Sequence, residues 1–279
     1  MQEGDINGAF ADFSMAIKLK PDYAEAYNER GLAMGAMVKN GGNIESYLAS
    51  AITDYTTAIQ IKPEFASAYY NRGVAMQAKE NWQNAKVDFD KVVELKPDIA
   101  LLAQAFLHLG QLKQREGDNS GAVYFLSAAD YYRGISEVRR GDTNNALVDF
   151  SKAIELNPPF DQAYYDRGKL KQTMGDLDGA LGDYDKAIEL NPQNSAAYNN
   201  RGNVRVARND LDGAFADFRK AVELDPRNAK ALMNLGITKA KRGDITGSNL
   251  DFNKAIEVNP DIRALITANG YSVNEPVSK

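Results

Sequence analysis

Residues Ser195–Pro226 read SAAYNNRGNVRVARNDLDGAFADFRKAVELDP. Tyr198, Arg201, Gly202 and Arg205 recur at spacings of three and four, and Ala214, Phe218, Ala221 and Val222 do the same further on; both are helical patterns. Between them, Asn209 and Asp210 stand where a second helix needs a side-chain acceptor for its first backbone N–H groups. Pro226 stops that helix. Gly202 and Ala214 are small enough to let the two helices approach closely. A single pair of this kind cannot bury its apolar faces, so pairs must stack on one another.

Working outward, prolines stand at 21, 63, 97, 158, 192, 226 and 260. The intervals 63 to 97, 158 to 192, 192 to 226 and 226 to 260 are each 34 residues. The opening pattern repeats with that period. Tyr198, Gly202, Ala214, Phe218, Ala221 and Pro226 correspond to Tyr164, Gly168, Ala180, Tyr184, Ala187 and Pro192, and to Tyr69, Gly73, Ala85, Phe89, Val92 and Pro97. On these residues the chain resembles the tetratricopeptide repeat (TPR) family over about residues 1–260, at that family's period. The resemblance implies an all-α fold, a right-handed superhelical α-solenoid of helix-turn-helix repeats. One departure is consistent: Arg30, Arg72, Arg133, Arg167 and Arg201 stand where the family more often has leucine.

The array is not uniform. Residues 1–22 read as a half repeat, a second helix alone, with Ala9, Phe13, Ala16 and Pro21 in register. Residues 23–119 form an N-terminal segment with an eight-residue insertion near 39–50. There Gly41-Gly42 marks a turn, and the remainder is expected to lengthen the second helix by two turns. After Pro97 the pattern breaks: Ser127–Gly134 (SAADYYRG) restarts a repeat ten residues early, with no proline between Pro97 and Pro158. Residues 120–140 show no turn residue except Gly134, which belongs to the helical motif. Two readings fit: one long helix shared by two repeats, dividing the array into two superhelical segments, or a sharp kink near Leu126–Ala129. Residues 141–260 form a C-terminal segment, 261–270 a capping helix ended by Asn269-Gly270, and 271–279 a frayed tail.

Composition removes several function classes. The net charge of −5 offers no basic face for nucleic acid. No stretch is long and apolar enough to predict a membrane span. With no cysteine there is neither a disulfide nor a thiolate. MQEGDINGAF lacks the charged and apolar regions of a signal peptide, and the cytoplasm is the expected compartment.

No catalytic constellation is legible. His108 is the only histidine, and it takes the position of Asn200 and Asn234 in other repeats. GDNSG (117–121), GDLDG (175–179) and NDLDG (209–213) fall at the same inter-helix turn, so their acids read as helix caps. Ala187 stands where a calcium loop starting at Asp176 needs its final glutamate. No phosphate loop or dinucleotide fingerprint occurs. No metal site, cofactor or enzymatic activity is therefore expected. Arg30, Arg72, Arg133, Arg167 and Arg201 are each expected to pair with an acid on the following helix: Asp54, Asp88, Asp149, Asp183 and Asp217. Partly exposed pairs of this kind would contribute ~0.5–1 kcal/mol each. The repeat holding Leu109 has Phe125 instead of the acid, whereas that of Leu235 keeps Asp251.

The resemblance implies a function of binding. In the family, one face of each first helix lines a concave groove that holds peptides or protein domains. By position that face comprises Tyr70, Asn71, Val74, His108, Tyr131, Tyr132, Tyr165, Asp166, Lys169, Asn199, Asn200, Asn203 and Asn234, together with Asn28, Gln111 and Ile237. Tyr70, Tyr131 and Tyr165 form an aromatic ladder on this reading, or pack between neighbouring first helices. Asn200, Asn203 and Asn234 are suited to a peptide backbone. Some relatives clamp the acidic C-termini of chaperones. Asn203 and Asn234 match that clamp's asparagines, but Asn199, Ala264 and Ala268 replace its basic residues, which argues against a chaperone peptide. The expected role is a protein–protein interaction scaffold, and the alternative is self-assembly into a homo-oligomer.

Overall fold

The computed structural model describes residues 6–39 and 43–272. The first residues of the expected half repeat, the Gly41-Gly42 turn and most of the expected tail lie outside them. Among the described residues the structure consists of helices without strands, in two compact units. The first, Met1–Asn157, contains α1 (Ile6–Leu19), α2 (Ala24–Lys39), α3 (Ile44–Ile61), α4 (Ala66–Ala78), α5 (Trp82–Leu95), α6 (Ile99–Arg115), α7 (Asn119–Arg140) and α8 (Thr143–Leu156). The second, Pro158–Lys279, contains α9 (Asp161–Thr173), α10 (Leu177–Leu190), α11 (Ser195–Ala207), α12 (Leu211–Leu224), α13 (Ala229–Lys241), α14 (Ile245–Val258) and α15 (Ile262–Ala268). Each unit is a stack of helix hairpins, the local form of an all-α solenoid.

Each hairpin closes on one contact. A methyl group placed on Gly202 of α11 would stand 2.6 Å from the ring of Phe218 on α12. Gly73 meets Phe89, Gly134 meets Phe150 and Gly168 meets Tyr184 in the same way. These aromatic rings are fully buried, so the ring fills the notch that the missing side chain leaves. The turns are built alike. Asp176, Asp210 and Asp244 cap α10, α12 and α14 by accepting from the backbone N–H of Gly179, Gly213 and Gly247. The preceding residue takes positive φ: 84° at Gly175, 86° at Gly243 and 63° at Asn209.

All five expected arginine–aspartate pairs are present: Arg30–Asp54, Arg72–Asp88, Arg133–Asp149, Arg167–Asp183 and Arg201–Asp217. Their aspartates are buried, while the arginines keep between 14% and 42% of their side-chain exposure, so the pairs are exposed on the arginine side alone. In the repeat of Leu235, Asp251 is met instead by Lys239, one turn further along α13, with Nζ 2.7 Å from Oδ2.

The insertion lengthens both helices around it. α2 has 16 residues where α4 has 13, and α3 has 18 where α5 has 14. The second helix thus gains about one turn rather than two. α7 is a single helix of 22 residues, capped by Asp118 and closed by Gly141 at φ 80°. It packs on both α6 and α8. The two compact units part at Asn157–Pro158, beyond α7 and α8. At the end of the second unit, α15 buries Ile262 and Ile266 against Leu232 and Phe252. Tyr271, expected to fray, packs on Phe252 at 5.6 Å.

Candidate functional site

One pattern recurs along the first helices other than α7: a side chain two residues after the repeat's first tyrosine position bonds to the side chain one residue after it in the preceding repeat. Asn71 Nδ2 donates to Asn28 Oδ1 at 2.9 Å. Tyr70 OH lies 3.2 Å from His108 Nε2. In the second unit, Asn200 Nδ2 donates to Tyr165 OH at 3.2 Å. Asn234 Nδ2 donates to both Asn199 Oδ1 and Asn203 Oδ1 at 3.0 Å. The polar residues expected to await a peptide thus also tie successive first helices together.

In the first unit the structure brings Tyr70, Asn71, Val74 and His108 together. They line a cavity of about 410 Å3 with Leu32, Gly35, Ala36, Leu48, Ala51, Tyr55, Ala75 and Ala78. Among the described residues no charged side chain belongs to this wall. His108 stacks on Phe89, with ring centres 4.7 Å apart and planes at 7°, and meets Tyr70 edge-on at 5.6 Å. Burial holds the imidazole below its ordinary pKa and raises that of the Tyr70 phenol. Val74 is exposed at the mouth of the cavity. The contributions of α2 and α3, chiefly Leu32, Ala36, Leu48 and Tyr55, were missed by sequence reasoning. The insertion was their only signal.

Tyr131 and Tyr132 behave differently. Tyr131 is buried against Phe150 at 5.8 Å and Tyr132 at 5.2 Å. Tyr132 stacks on Phe106 at 5.4 Å. Tyr131 is therefore an interior residue rather than a rung of an open aromatic ladder, although Tyr70 meets Phe89 at 5.9 Å and Tyr165 meets Tyr184 at 6.1 Å in the same way. In the second unit Asn199 is also buried, its amide oxygen engaged by Asn234, so it too is withdrawn from the open face. Tyr165 is half-buried and tilted against Tyr184 at 6.1 Å. Lys169 lies over the Tyr165 ring at 5.4 Å, with Nζ 3.2 Å from Asp166 Oδ1, while Gln162 donates to Asp166 Oδ2. Asn200, Asn203 and Asn234 remain half-buried. The first unit thus presents a neutral apolar hollow, and the second a row of linked amides beside a paired charge.

No helix of the described residues is long and apolar enough to cross a membrane. Comparison with known proteins points one way. A tetratricopeptide repeat family model matches residues 165–229 and 203–262, a TPR repeat model 1–38 and 48–80, and a further tetratricopeptide repeat model 66–99. No curated protein matches. Among solved structures, a MamA RS-1 double mutant is 24% identical, covering 58% of this chain and 97% of its own, with a TM-score of 0.47. MamA from Desulfovibrio magneticus RS-1, from residue 41 to its end, is 23% identical over 59% and 97%, with a TM-score of 0.46. YrrB, described as a TPR protein with an unusual peptide-binding site, is 22% identical over 82% and 97%, with a TM-score of 0.36.

Proposed function

We propose, starting from the fact that this chain belongs to the tetratricopeptide repeat family, that it is a non-enzymatic scaffold holding an extended segment of another protein. The observation that carries this reading is the hollow of about 410 Å3 between α2, α3, α4 and α6. Its wall is apolar and aromatic, with Asn71 and the neutral imidazole of His108 as the polar groups that would orient a main chain. A concave, largely apolar site with few polar groups is the usual form of a ligand pocket. The absence of charge on the wall favours a neutral segment that inserts an apolar side chain, and disfavours an acidic C-terminus.

Panning a random peptide library against the chain tests this reading. The expected outcome is enrichment of uncharged peptides with a shared leucine-, methionine- or phenylalanine-like anchor, lost when Val74→Asp is the bait. Enrichment of acidic sequences, or equal enrichment on Val74→Asp, would reject it.

Self-assembly is the second reading. It is favoured by the exposure of Met15 and Leu19 on α1. Light scattering that finds only monomer at tens of micromolar would remove it.

A further inference from the structure

In a regular stack, the first helix of each repeat lays one face on the second helix of the repeat before it. α11 shows this contact fully. Ala197 packs on Ala187 and Ile188, and Val204 packs on Ala180 and Tyr184. Arg201 Nη1 donates to Asp185 Oδ1 at 2.6 Å, and Arg208 pairs with Asp178. α4 repeats the arrangement on α3: Ala68 packs on Ala58 and Ile59, and Arg72 Nη1 donates to Thr56 Oγ1 at 3.2 Å.

The C-terminal half of α7 carries the same face. In register from its glycine, Ala129, Arg133, Ser136 and Arg140 stand where α11 has Ala197, Arg201, Val204 and Arg208. Ala129 is already buried in a cluster with Leu102 and Phe106 of α6, so the open part of the face runs from Arg133 to Arg140. No second helix precedes it, because α7 itself runs straight on from one role to the other. The face instead lines a cavity of about 210 Å3 with Gln104 and Leu107 of α6. The arginines record the vacancy. Arg133 is 42% exposed, against 14% for Arg201 and 17% for Arg72. Its Nε and Nη2 hold Asp149 and Asp130, while Nη1, which reaches the preceding helix in α4 and α11, has no acceptor among the described residues. Arg140 is exposed and faces no acid among the described residues, whereas its counterpart Arg208 is paired.

We propose that this face is a docking site for an amphipathic helix of a partner protein, one that presents two carboxylates seven residues apart. Asp178 and Asp185 of α10, which pair with Arg208 and Arg201, are the template for that pattern within this chain. The two carboxylates would meet Arg140 and Arg133, which are also seven residues apart. Glu137 on the same wall disfavours a uniformly acidic helix and so selects for the spacing. The cavity is smaller than the ~300 Å3 of the smallest usual ligand pockets. It therefore takes a ridge of side chains from a helix laid across it, a known mode of helix recognition. The surface is separate from the hollow around His108, and the proposal does not rest on that site.

The probe is a fluorescein-labelled, helix-stabilised peptide of the α10 sequence, LDGALGDYDKAIEL, titrated with the full chain and read by anisotropy. The expected result is saturable binding, weakened roughly tenfold when both template aspartates (Asp178 and Asp185) are asparagine in the peptide. Gln104→Trp and Leu107→Glu in the chain change exposed positions on the cavity wall. Both are expected to keep the melting temperature and lose the peptide, whereas Val74→Asp keeps it. No saturation by about 1 mM, the weak end of specific association, would overturn the proposal. So would equal binding of the asparagine peptide, or undiminished binding by both cavity variants, as exchange of the peptide for α10 itself would give. A concentration-dependent dimer of the chain abolished by Gln104→Trp would make the occupant a second copy and overturn the assignment to a partner.

Discussion

Arg201 grips Asp217 with two parallel bonds, Nε to Oδ2 at 3.0 Å and Nη2 to Oδ1 at 2.6 Å, joining α11 to α12 around a carboxylate that is almost fully buried. Arg205 adds a third bond to Oδ2 at 2.8 Å. Arg72 and Asp88, and Arg167 and Asp183, meet with the same two bonds at the same separation of 16 residues. Two-bond contacts of this kind fix geometry as well as charge, so each sets the register of its hairpin.

Removing the buried carboxylate removes the two-bond contact that joins the helices. Asp183→Ala strips the acceptor from Arg167 and from Lys171, whose Nζ lies 2.9 Å away. The expected loss is about 2–3 kcal/mol, below that of a fully buried pair because Arg167 keeps some contact with water. Asp185→Ala breaks an ion pair whose carboxylate is exposed and is expected to cost under about 0.5 kcal/mol. Urea denaturation of the two variants checks the contrast; equal losses would refute it.

Glycines in the helices divide by what surrounds them. Gly202→Ala adds a methyl against Phe218 and is expected to destabilise by about 1–3 kcal/mol, although alanine is the better helix former. Gly182 lies inside α10 with nothing near the added carbon. Gly182→Ala is expected to stabilise by about 0.5–1 kcal/mol. Thermal denaturation of both variants reads opposite signs.

His108 gives the first unit a pH response. Its folded-state pKa is lowered by burial, so the folded form resists protonation. The stability tied to the neutral imidazole is present above about pH 6.5, its unfolded value, and declines as pH falls through the lower folded value. His108→Asn, the residue at this position in α11 and α13, is expected to remove that decline. The check is melting temperature against pH for both proteins, taken as a difference because other carboxylates titrate below it.

Glu137 gives the opposite slope. At its position α9, α11 and α13 place Lys171, Arg205 and Lys239, each bonded to the buried acid of its hairpin. In α7 the residue is itself an acid facing Asp149, and burial, then the nearby Asp149, raise its pKa. A carboxyl with a raised folded pKa lowers stability as pH rises through that value. Glu137→Lys is expected to raise the melting temperature at pH 7 and flatten its dependence above the ordinary glutamate range. A lower melting temperature at pH 7 would contradict this.

Much of this was legible because the hairpins keep constant lengths. A spacing of 16 joins arginine to aspartate and glycine to aromatic ring, so Gly202–Phe218 and Arg201–Asp217 could both be read from the period. Tyr131 could not. It has the same register as Tyr70 and Tyr165 and meets the aromatic ring of its own hairpin as they do, yet it is buried where they are half-buried, a difference the register does not carry. Asn199 likewise matches an open position and is closed over by Asn234. The hollow at Tyr70 draws half of its wall from α2 and α3, whose lengths depart from the period, so its apolar lining had no repeat to predict it.

The central claim is that the hollow walled by Tyr70, Asn71, Val74 and His108 holds an uncharged protein segment. Isothermal titration of a peptide selected on the wild-type chain, compared between that chain and Val74→Asp at matched melting temperature, tests it most directly. Micromolar affinity is expected for the wild type and at least a roughly tenfold loss in the variant, about 1.4 kcal/mol. Equal affinity for both chains would contradict it.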